Sequence, residues 1–372
     1  MNLKRNWGRK MADNKTLGKA KENKNDEFYT RKIDIENELR HYKEFFRGQI
    51  VYCNCDDPYE SNFFKYFALN FNHLQLKKLI AISYANSPVA GSEVTLFEDQ
   101  GKEFKINNRK AYKVVMSELK DVTGDGRENL DDVREIIRHR IRYLKGDGDF
   151  RSPEAVELLK EATIVVTNPP FSLFREYIGQ LIEYDKKFII IGNPNAIHYK
   201  EVFPLLKNNK VFVGYKSMGV DMLFDVSPEF ADFLVKHKKE GSGYRVVDGV
   251  VKGRANAIWF TNFTIDKIHD ELQLYKHYTP EEYPKYDNYN AINVDKVSDI
   301  PCDYYEAMGV PDSFLEKYNP EQFEIIGLGC GNMAKEIGVT KNYRGRTDVA
   351  YMKNGVPKCP YSRVIIKRKR DE

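Results

Sequence analysis

The chain has 372 residues, a formal net charge of +4, 41% hydrophobic residues and 13% aromatic residues. This length supports one large core with a smaller second one, and the composition excludes an intrinsically disordered chain. No run approaches the roughly eighteen apolar residues of a membrane helix, and no apolar segment follows the basic N-terminus, so we expect a cytoplasmic protein without membrane association.

The first 24 residues carry many basic side chains and little hydrophobic periodicity. We predict a flexible basic arm over residues 1–24. It would either remain solvated or contact nucleic-acid phosphates.

From residue 49 onward, apolar strands alternate with amphipathic helices. The predicted strands span residues 49–53, 79–82, 164–167, 188–191, 211–214 and 257–261, and the predicted helices span residues 60–70, 153–159 and 173–184. This alternation predicts an α/β fold whose open parallel sheet is covered on both faces. Such sheets bind ligands beyond the carboxyl ends of their strands.

Residues 86–145 interrupt the alternation and are predicted to form an insertion. It would contain a polar hairpin, at residues 94–97 and 104–106, and a basic helix over residues 130–144. The arginines of this helix would contact nucleic-acid phosphates or form a solvated face with neighbouring acidic residues. Those proposed as nucleic-acid contacts are Arg134, Arg138 and Arg142.

Two patterns raise the question of a metal site. Asp121, Asp125 and Asp132 follow the rhythm of a calcium loop, but the position of the bidentate glutamate is filled by Asp132, so a capped Asp-Gly turn is the favoured interpretation. The five cysteines are scattered and lack zinc-knuckle spacing. We therefore expect no metal.

The sequence Asn168-Pro169-Pro170-Phe171 lies between a β-branched strand and an amphipathic helix. The Asn168 side chain offers a carbonyl, and Pro169, which has no N–H, offers only its backbone carbonyl. Two acceptors at one place match the two N–H groups of a planar exocyclic amine, with Phe171 as a stacking surface. Accepting both hydrogen bonds would localise the nitrogen lone pair for attack on an activated methyl group.

The natural methyl donor for this chemistry is S-adenosylmethionine, and two loops could bind it. Asp56 and Asp57 could receive its ammonium group, with the backbone of Asn54 and Cys55 close by. In the loop at residues 146–150, Asp149 could accept from an adenine amine while Phe150 stacks on the ring. An ordinary Asp-Gly turn is the alternative interpretation of Asp149.

The chain contains seven short sequence motifs, and their combination is more specific than any single motif. They occupy residues 25–30, 51–58, 61–67, 146–152, 165–177, 283–289 and 319–324. With them the chain resembles the γ-type DNA adenine-N6 methyltransferases, most closely the EcoRI restriction-modification methyltransferase family. The likeness covers nearly the whole chain.

The resemblance implies a Rossmann-like S-adenosylmethionine-dependent methyltransferase domain over residues 25–265 and a target-recognition domain over residues 266–372. Residues 168–171 would hold a flipped adenine of double-stranded DNA, which requires an aromatic pocket and a grip on the backbone. The residues expected at the cofactor are Phe28, Tyr29, Thr30, Asn54, Cys55, Asp56, Asp57, Ser83, Asp149 and Phe150. Ser83 follows the second strand, where most methyltransferases carry an acidic residue.

The basic block near the C-terminus, formed by Lys367, Arg368, Lys369 and Arg370, is expected to contact DNA. We expect a monomer in a bacterial or phage-infected cell, with a restriction endonuclease of the same site as a partner. The alternatives are a methyltransferase for ribosomal RNA guanine or protein glutamine, which also use Asn-Pro-Pro and an aromatic residue, and a catalytically silent DNA-binding protein.

Overall fold

The computed structural model describes residues 29–85, 110–226, 228–343, 345 and 347–370. The basic arm, Phe28 and the hairpin expected at residues 94–106 lie outside these described residues. Among the helices of the described ranges, none has the length and apolar character needed to cross a membrane.

The part of the chain up to residue 269 contains most of the regular structure. Its described strands are β1 (Tyr29–Thr30), β2 (Ile50–Cys53), β3 (Lys78–Ile82), β4 (Tyr112–Met116), β5 (Arg142–Tyr143), β6 (Ile164–Thr167), β7 (Lys187–Gly192), β8 (Phe212–Val213), β9 (Met222–Asp225), β10 (Tyr244–Val247), β11 (Val250–Ala255) and β12 (Ile258–Thr261). Its described α-helices are α1 (Lys32–Leu39), α2 (Asn62–Leu69), α3 (Leu130–Arg140), α4 (Pro153–Glu161), α5 (Phe174–Glu183), α6 (Phe203–Lys207), α7 (Pro228–His237) and α8 (Asp266–His269).

The central sheet has eight strands in the order β5-β4-β3-β2-β6-β7-β12-β8. The four middle strands, from β3 to β7, pair in parallel, and the outer strands pair antiparallel. All four residues of β6 are buried, as expected for a β-branched strand covered on both faces. The α/β prediction with a parallel core is confirmed. The loops that follow β2, β3 and β6 therefore meet at one edge of the sheet.

Local sequence signals account for the helices beside this edge. The Ser61 side chain caps α2 by accepting from the Phe63 N–H at 3.0 Å, and Ser152 caps α4 ahead of Pro153. Helix α5 buries Phe174, Tyr177, Ile178 and Leu181 on one face. This is the apolar stripe that its sequence predicts.

A second sheet of four antiparallel strands, in the order β1-β9-β11-β10, lies outside the central one. In it Thr30 pairs with Phe224 and Tyr29 with Asp225. The Thr30 carbonyl also accepts from the Asn62 side chain at 2.8 Å, which connects β1 to the start of α2.

The C-terminal region builds its own four-stranded sheet in the order β13-β14-β18-β15. Its elements are β13 (Ile292–Asn293), β14 (Met308–Pro311), β15 (Phe323–Leu328), α9 (Gly331–Glu336), β16 (Tyr351–Lys353), β17 (Val356–Lys358) and β18 (Arg363–Arg368). Buried residues of this sheet, such as Phe323 and Ile366, belong to the same hydrophobic cluster as the central sheet. The predicted target-recognition role and domain boundaries stay predictions.

The described end of the expected insertion differs in detail from the prediction. Strands β4 and β5 extend the central sheet beyond β3, with Leu79 opposite Met116. The basic helix ends at Arg140, four residues earlier than predicted, because the next residue, Ile141, leaves helical geometry at φ −59° and ψ 132°. Arg142 consequently lies in β5 and not on the helix.

Candidate functional site

A cleft of about 980 Å³, part of it open to solvent, lies at the carboxyl edge of the central sheet. Among the residues that the sequence assigned to a site, those lining it are Thr30, Asn54, Cys55, Asp56, Asp57, Asp149, Phe150, Asn168 and Pro170. Further lining residues, which the sequence reasoning missed, are Ser61, Asn62, Phe63, Tyr84, Gly148, Arg151 and Leu173.

The turn after β6 places Asn168 on the wall of this cleft. Pro169 is buried, whereas Asn168, Pro170 and Phe171 are half-buried. The Leu173 N–H donates to the Pro170 carbonyl at 3.0 Å, which closes the turn before α5 begins. Because proline has no N–H, the pair of prolines cannot extend the strand ladder, and the chain turns at this point.

The hydroxyl of Thr167, the last residue of β6, ties this turn to the loop after β2. It donates to a carboxylate oxygen of Asp56 and accepts from the Cys55 N–H at 3.2 Å. The other Asp56 oxygen accepts from the Ser61 hydroxyl at 2.8 Å. Asp56 was expected to receive an ammonium group. Both of its oxygens instead accept hydrogen bonds from protein groups. The contacts shown for Asp56 therefore connect the loop after β2 to the turn after β6.

Thr167→Val is expected to lower the free energy of unfolding by about 1–3 kcal/mol, because a buried carboxylate loses a donor and a buried N–H loses its acceptor. Urea denaturation measures the change. The matched control is Thr163→Val, just before the same strand. The Thr163 hydroxyl bonds to the backbone of Ile50 at an exposed position, where water can replace the lost hydrogen bonds. Equal effects of the two substitutions would contradict this account.

Two buried polar atoms of the cleft-lining residues have no hydrogen-bond partner within the described residues. They are Asn54 Nδ2 and Thr30 Oγ1. The Asn54 side-chain oxygen accepts from the hydroxyl of Tyr177, which is fully buried on α5, so the amide orientation is fixed. Buried polar groups normally have partners. This wall of the cleft is therefore suited to a polar ligand.

Asp57 sits on the same loop and contacts strand β4. Both of its carboxylate oxygens accept from the Tyr112 hydroxyl, at 2.8 and 2.7 Å, and one accepts from the Tyr59 N–H at 2.9 Å. Burial raises the pKa of Asp57 above its usual value, although these hydrogen bonds oppose the rise. The contact ties β4 to the cleft. The sequence did not indicate it, because Tyr112 lies within the expected insertion.

The loop at residues 146–152 forms the opposite wall. Asp149 accepts two hydrogen bonds from the Arg151 guanidinium, at 2.9 and 2.7 Å, which hold the pKa of Asp149 below its usual value. The Phe150 ring packs edge-on against Tyr177, with centroids 5.1 Å apart. Asp149 is thus an ionised acceptor positioned by Arg151. The sequence analysis included Arg151 in the motif at residues 146–152 but assigned it no role.

Three expected cofactor residues are not found among the described residues that line the cleft. The Ser83 side chain accepts from the Tyr112 N–H at 3.0 Å, and its neighbour Tyr84 lines the cleft in its place. Phe28 lies outside the described residues, and Tyr29 is described only through its backbone pairing in β1.

Arg134 and Arg138 of helix α3 are paired with acidic residues of the same helix. Arg134 contacts Asp131 and Arg138 contacts Glu135, each at 2.5 Å. Arg142, on β5, donates to the carbonyl of Ile141 at 2.7 Å. These contacts favour the alternative interpretation, a solvated helix face with salt bridges, over contacts with DNA phosphates.

The C-terminal basic block is partly built into the C-terminal sheet. Lys367 and Arg368 are the last residues of β18. Arg368 donates to the Cys302 carbonyl, and Lys367 lies 3.8 Å from Glu306. Lys369 and Arg370 follow the strand and are exposed. None of these four residues lines the cleft, and their DNA contacts stay predictions.

The acidic loop before α3 is organised as a capped turn. Asp132 accepts from the N–H groups of Val122, Thr123 and Asn129 and completes a capping box with Asn129. Asp121 accepts from the N–H groups that follow it, including Gly124 at 2.6 Å. Carboxylate oxygens of Asp121, Asp125 and Asp132 lie within 4.8 Å of one another, but Asp121 and Asp132 each accept several backbone hydrogen bonds.

Comparison with known proteins gives one consistent family. Residues 16–369 match the family model described as Adenine-specific methyltransferase EcoRI. Type II methyltransferase M.EcoRI of Escherichia coli is 44% identical over 362 residues, which cover 96% of this chain and 98% of that protein. Two Mycoplasma proteins, Type II methyltransferase M.MgeORF184P of Mycoplasma genitalium and M.MpnI of Mycoplasma pneumoniae, are each 34% identical, over 95% of this chain and 98% of their own length. No solved structure matches the chain.

Proposed function

Because the chain belongs to the EcoRI family of adenine-specific methyltransferases and is a DNA adenine methyltransferase, we propose that it uses S-adenosylmethionine to methylate the N6 amine of an adenine flipped out of double-stranded DNA. The observation that carries this proposal is the single cleft onto which the loops after β2 and β6 both open. A methyl donor and an acceptor amine bound there would be neighbours, as in-line transfer requires.

The residues of the cleft fit the proposed cofactor. Asn54 Nδ2 and Thr30 Oγ1 are buried polar atoms with no partner within the described residues, so they could donate to the cofactor's carboxylate or ribose oxygens. Phe150 offers a ring beside the ionised Asp149, which suits an adenine ring and its amine. When bound, S-adenosylmethionine supplies a methyl group already activated by a sulfonium.

The amine would be held by the turn after β6. We propose that Asn168 Oδ1 and the Pro169 carbonyl accept its two hydrogen bonds, while Phe171 stacks on the flipped base. These acceptors would draw the flat nitrogen toward a tetrahedral shape and concentrate its lone pair. Aromatic stacking would offset part of the few kcal/mol that unstacking the base costs.

The direct test is transfer of a tritiated methyl group from S-adenosylmethionine to duplex DNA, RNA and protein. Single-molecule sequencing of DNA from cells that express the protein then identifies the modified base. We expect N6-methyladenine in one short sequence. Label only in ribosomal RNA or protein would favour one of the alternative substrates, for which family membership gives no support. DNA binding without label would indicate a silent enzyme.

Tyr177→Phe is expected to raise the KM for S-adenosylmethionine about 5- to 10-fold with little change in kcat, because Asn54 loses the donor that fixes its amide. Steady-state kinetics and calorimetric titration of the cofactor measure the effect. Tyr184→Phe is the control, since the Tyr184 hydroxyl makes no hydrogen bond within the described residues. A KM unchanged from wild type would contradict the positioning role of Tyr177.

We further propose that the protein acts as a monomer and, where it serves restriction-modification, beside an endonuclease that cuts the same DNA sequence. The support for the endonuclease partner is that the similar proteins are named type II methyltransferases. Sedimentation velocity with and without duplex DNA tests the monomer. Protection of plasmid DNA against candidate endonucleases tests the partner.

A further inference from the structure

A second groove, of about 1370 Å³ and open to solvent, lies between the catalytic part of the chain and the C-terminal region. One side is formed by the 3-10 helix Pro194–His198, which follows β7, and by residues 217–219. The other side is formed by residues 295–297 and by the 3-10 helix Asp312–Lys317. The sequence analysis named none of these residues as a DNA contact, although residues 295–297 and 312–317 lie within the predicted target-recognition domain.

This groove is next to the catalytic turn. Strands β6 and β7 are parallel neighbours, so Pro194 follows the strand adjacent to the one that leads to Asn168, about 4.8 Å away. Arg175, near the start of α5, stacks on the Tyr199 ring at 4.1 Å and lies 3.8 Å from Glu201. These contacts join the helix after the catalytic turn to the segment that lines the groove.

The expected cofactor site leaves the β7 side of β6 available to the duplex that carries the flipped adenine. Asn54 follows β2, which lies on the side of β6 away from β7, and Thr30 and Phe150 line the same cleft as Asn54. A base that enters at Asn168 is attached to a duplex, which cannot occupy the cofactor side. The β7 side, where the second groove begins, is open to solvent and adjacent to the turn, so it is the side on which the duplex would extend.

The acidic residues inside the groove are already paired. Asp312 lies 3.4 Å from the His198 ring, and Glu316 accepts from the Ser217 hydroxyl at 2.8 Å and the Met218 N–H at 2.6 Å. A third lining carboxylate, Asp295, lies 3.5 Å from the Arg363 guanidinium. The partners of Glu316 are neutral and leave its negative charge in place, so DNA phosphates would lie at the rim, beside the lysines. The groove can accept DNA at its rim without leaving buried charges unpaired.

The rim of this groove carries exposed polar and charged side chains. The side chains of Asn195, Asn256, Lys296 and Lys317 are exposed and make no hydrogen bond or ion pair within the described residues, and Tyr361 is 75% exposed. A side-chain amide can bond to both the amine and the N7 of an adenine edge, and an ammonium group can contact phosphate.

We propose that this groove reads the bases flanking the target adenine, with Asn195 and Asn256 contacting base edges and Lys296 and Lys317 contacting phosphates. The inference rests on the proposed function. It assigns part of the recognition of the DNA sequence to Asn195, which lies in the loop after β7 of the central sheet. The arginines of α3 and Arg368, expected from the sequence to contact DNA, already contact neighbouring protein groups.

The test of base reading uses Asn195→Ala, Asn256→Ala and the double variant. Each is assayed by kcat/KM on the preferred duplex and on duplexes with one substituted base pair, and by sequencing of methylated cellular DNA. Discrimination against at least one substituted pair is expected to fall about 10-fold or more in each variant. The control is Gln273→Ala, which removes an exposed amide outside the groove and should keep wild-type discrimination.

The test of phosphate contact uses the double variant Lys296→Ala and Lys317→Ala. Its affinity should fall on all duplexes alike, and the slope of log K against log salt should decrease by about 2. The control is Lys43→Ala, on the exposed surface of the 3-10 helix Arg40–Phe46. Melting temperatures establish that all variants are folded.

Wild-type discrimination in the asparagine variants, or a wild-type salt slope in the lysine variant, would overturn the corresponding assignment. If the unmodified protein methylates adenine and all variants behave like it, only the groove is wrong. If the unmodified protein methylates no adenine in DNA, the proposed function fails and this inference fails with it.

Discussion

Asn168→Ala is expected to lower kcat for methyl transfer by about 10²- to 10³-fold, the usual effect of removing one preorganised hydrogen-bonding group at a reacting centre. Without the Asn168 carbonyl, the amine nitrogen would keep its flat geometry and delocalised lone pair. Single-turnover transfer of a tritiated methyl group measures the loss. Because Asn168 is half-buried and its turn is closed by the Pro170 carbonyl, the fold should survive.

Asn168→Asp is the matched variant, since an aspartate keeps an acceptor of the same length but loses the amide nitrogen. It should retain more activity than the alanine variant. DNA affinity and the urea midpoint should stay near wild type in both. Turnover of Asn168→Ala within about 5-fold of wild type would remove the amine-binding role that the proposed function assigns to this residue.

The second large effect is expected at Gly148, in the loop that forms one wall of the cleft. Its φ of +81° belongs to the left-handed region, and a Cβ there would lie 2.2 Å from the Ser83 carbonyl oxygen and 2.9 Å from the Ala111 Cβ. Gly148→Ala should lower the free energy of unfolding by about 2–4 kcal/mol. It should also raise the KM for the cofactor, because Asp149 and Phe150 would be displaced. Urea denaturation and steady-state kinetics measure the two effects.

Gly179→Ala is the control for this loop. Gly179 lies within α5, and a Cβ there meets nothing within 4 Å. The substitution should therefore stabilise the protein by about 0.5–1 kcal/mol through helix propensity. If both glycine substitutions stabilise, the close approach of the loop to Ser83 cannot be what fixes the cleft wall.

The sequence predicted the parallel core because its strands are short, continuous and apolar. The strand Ile164–Thr167 was located to the residue, and so was the turn after it. Strand β4 was missed because its burial alternates along Tyr112–Met116, which gives a weaker apolar signal than the continuously buried strands of the parallel core. Its membership of the sheet depends on pairing with β3, which lies well before it in the chain.

The cleft residues were predicted where they follow a strand directly, as with Asn54 and Asn168. The contacts of Tyr177 with Asn54 and of Arg151 with Asp149 were not predicted. The first joins residues 123 positions apart, and no local pattern marks it. The second is local, but an arginine two residues after an aspartate is too common to signal a site.

The arginines predicted to contact DNA show what sequence composition alone does not distinguish. A cluster of arginines has the same composition whether it faces phosphates or its own acidic neighbours. In α3 the acidic neighbours are three residues away on the same face, and the ion pairs form within the helix. Only the placement of carboxylates in space distinguishes the two cases.

The continuous hydrophobic cluster beneath the central and C-terminal sheets constrains how this enzyme can acquire a new target sequence. A C-terminal segment taken from a relative would bring apolar residues that do not fit this shared core. The poor packing would destabilise the catalytic part of the chain as well. Evolution of new specificity in this lineage is therefore expected to proceed by point substitutions on the outer rim and not by exchange of whole modules.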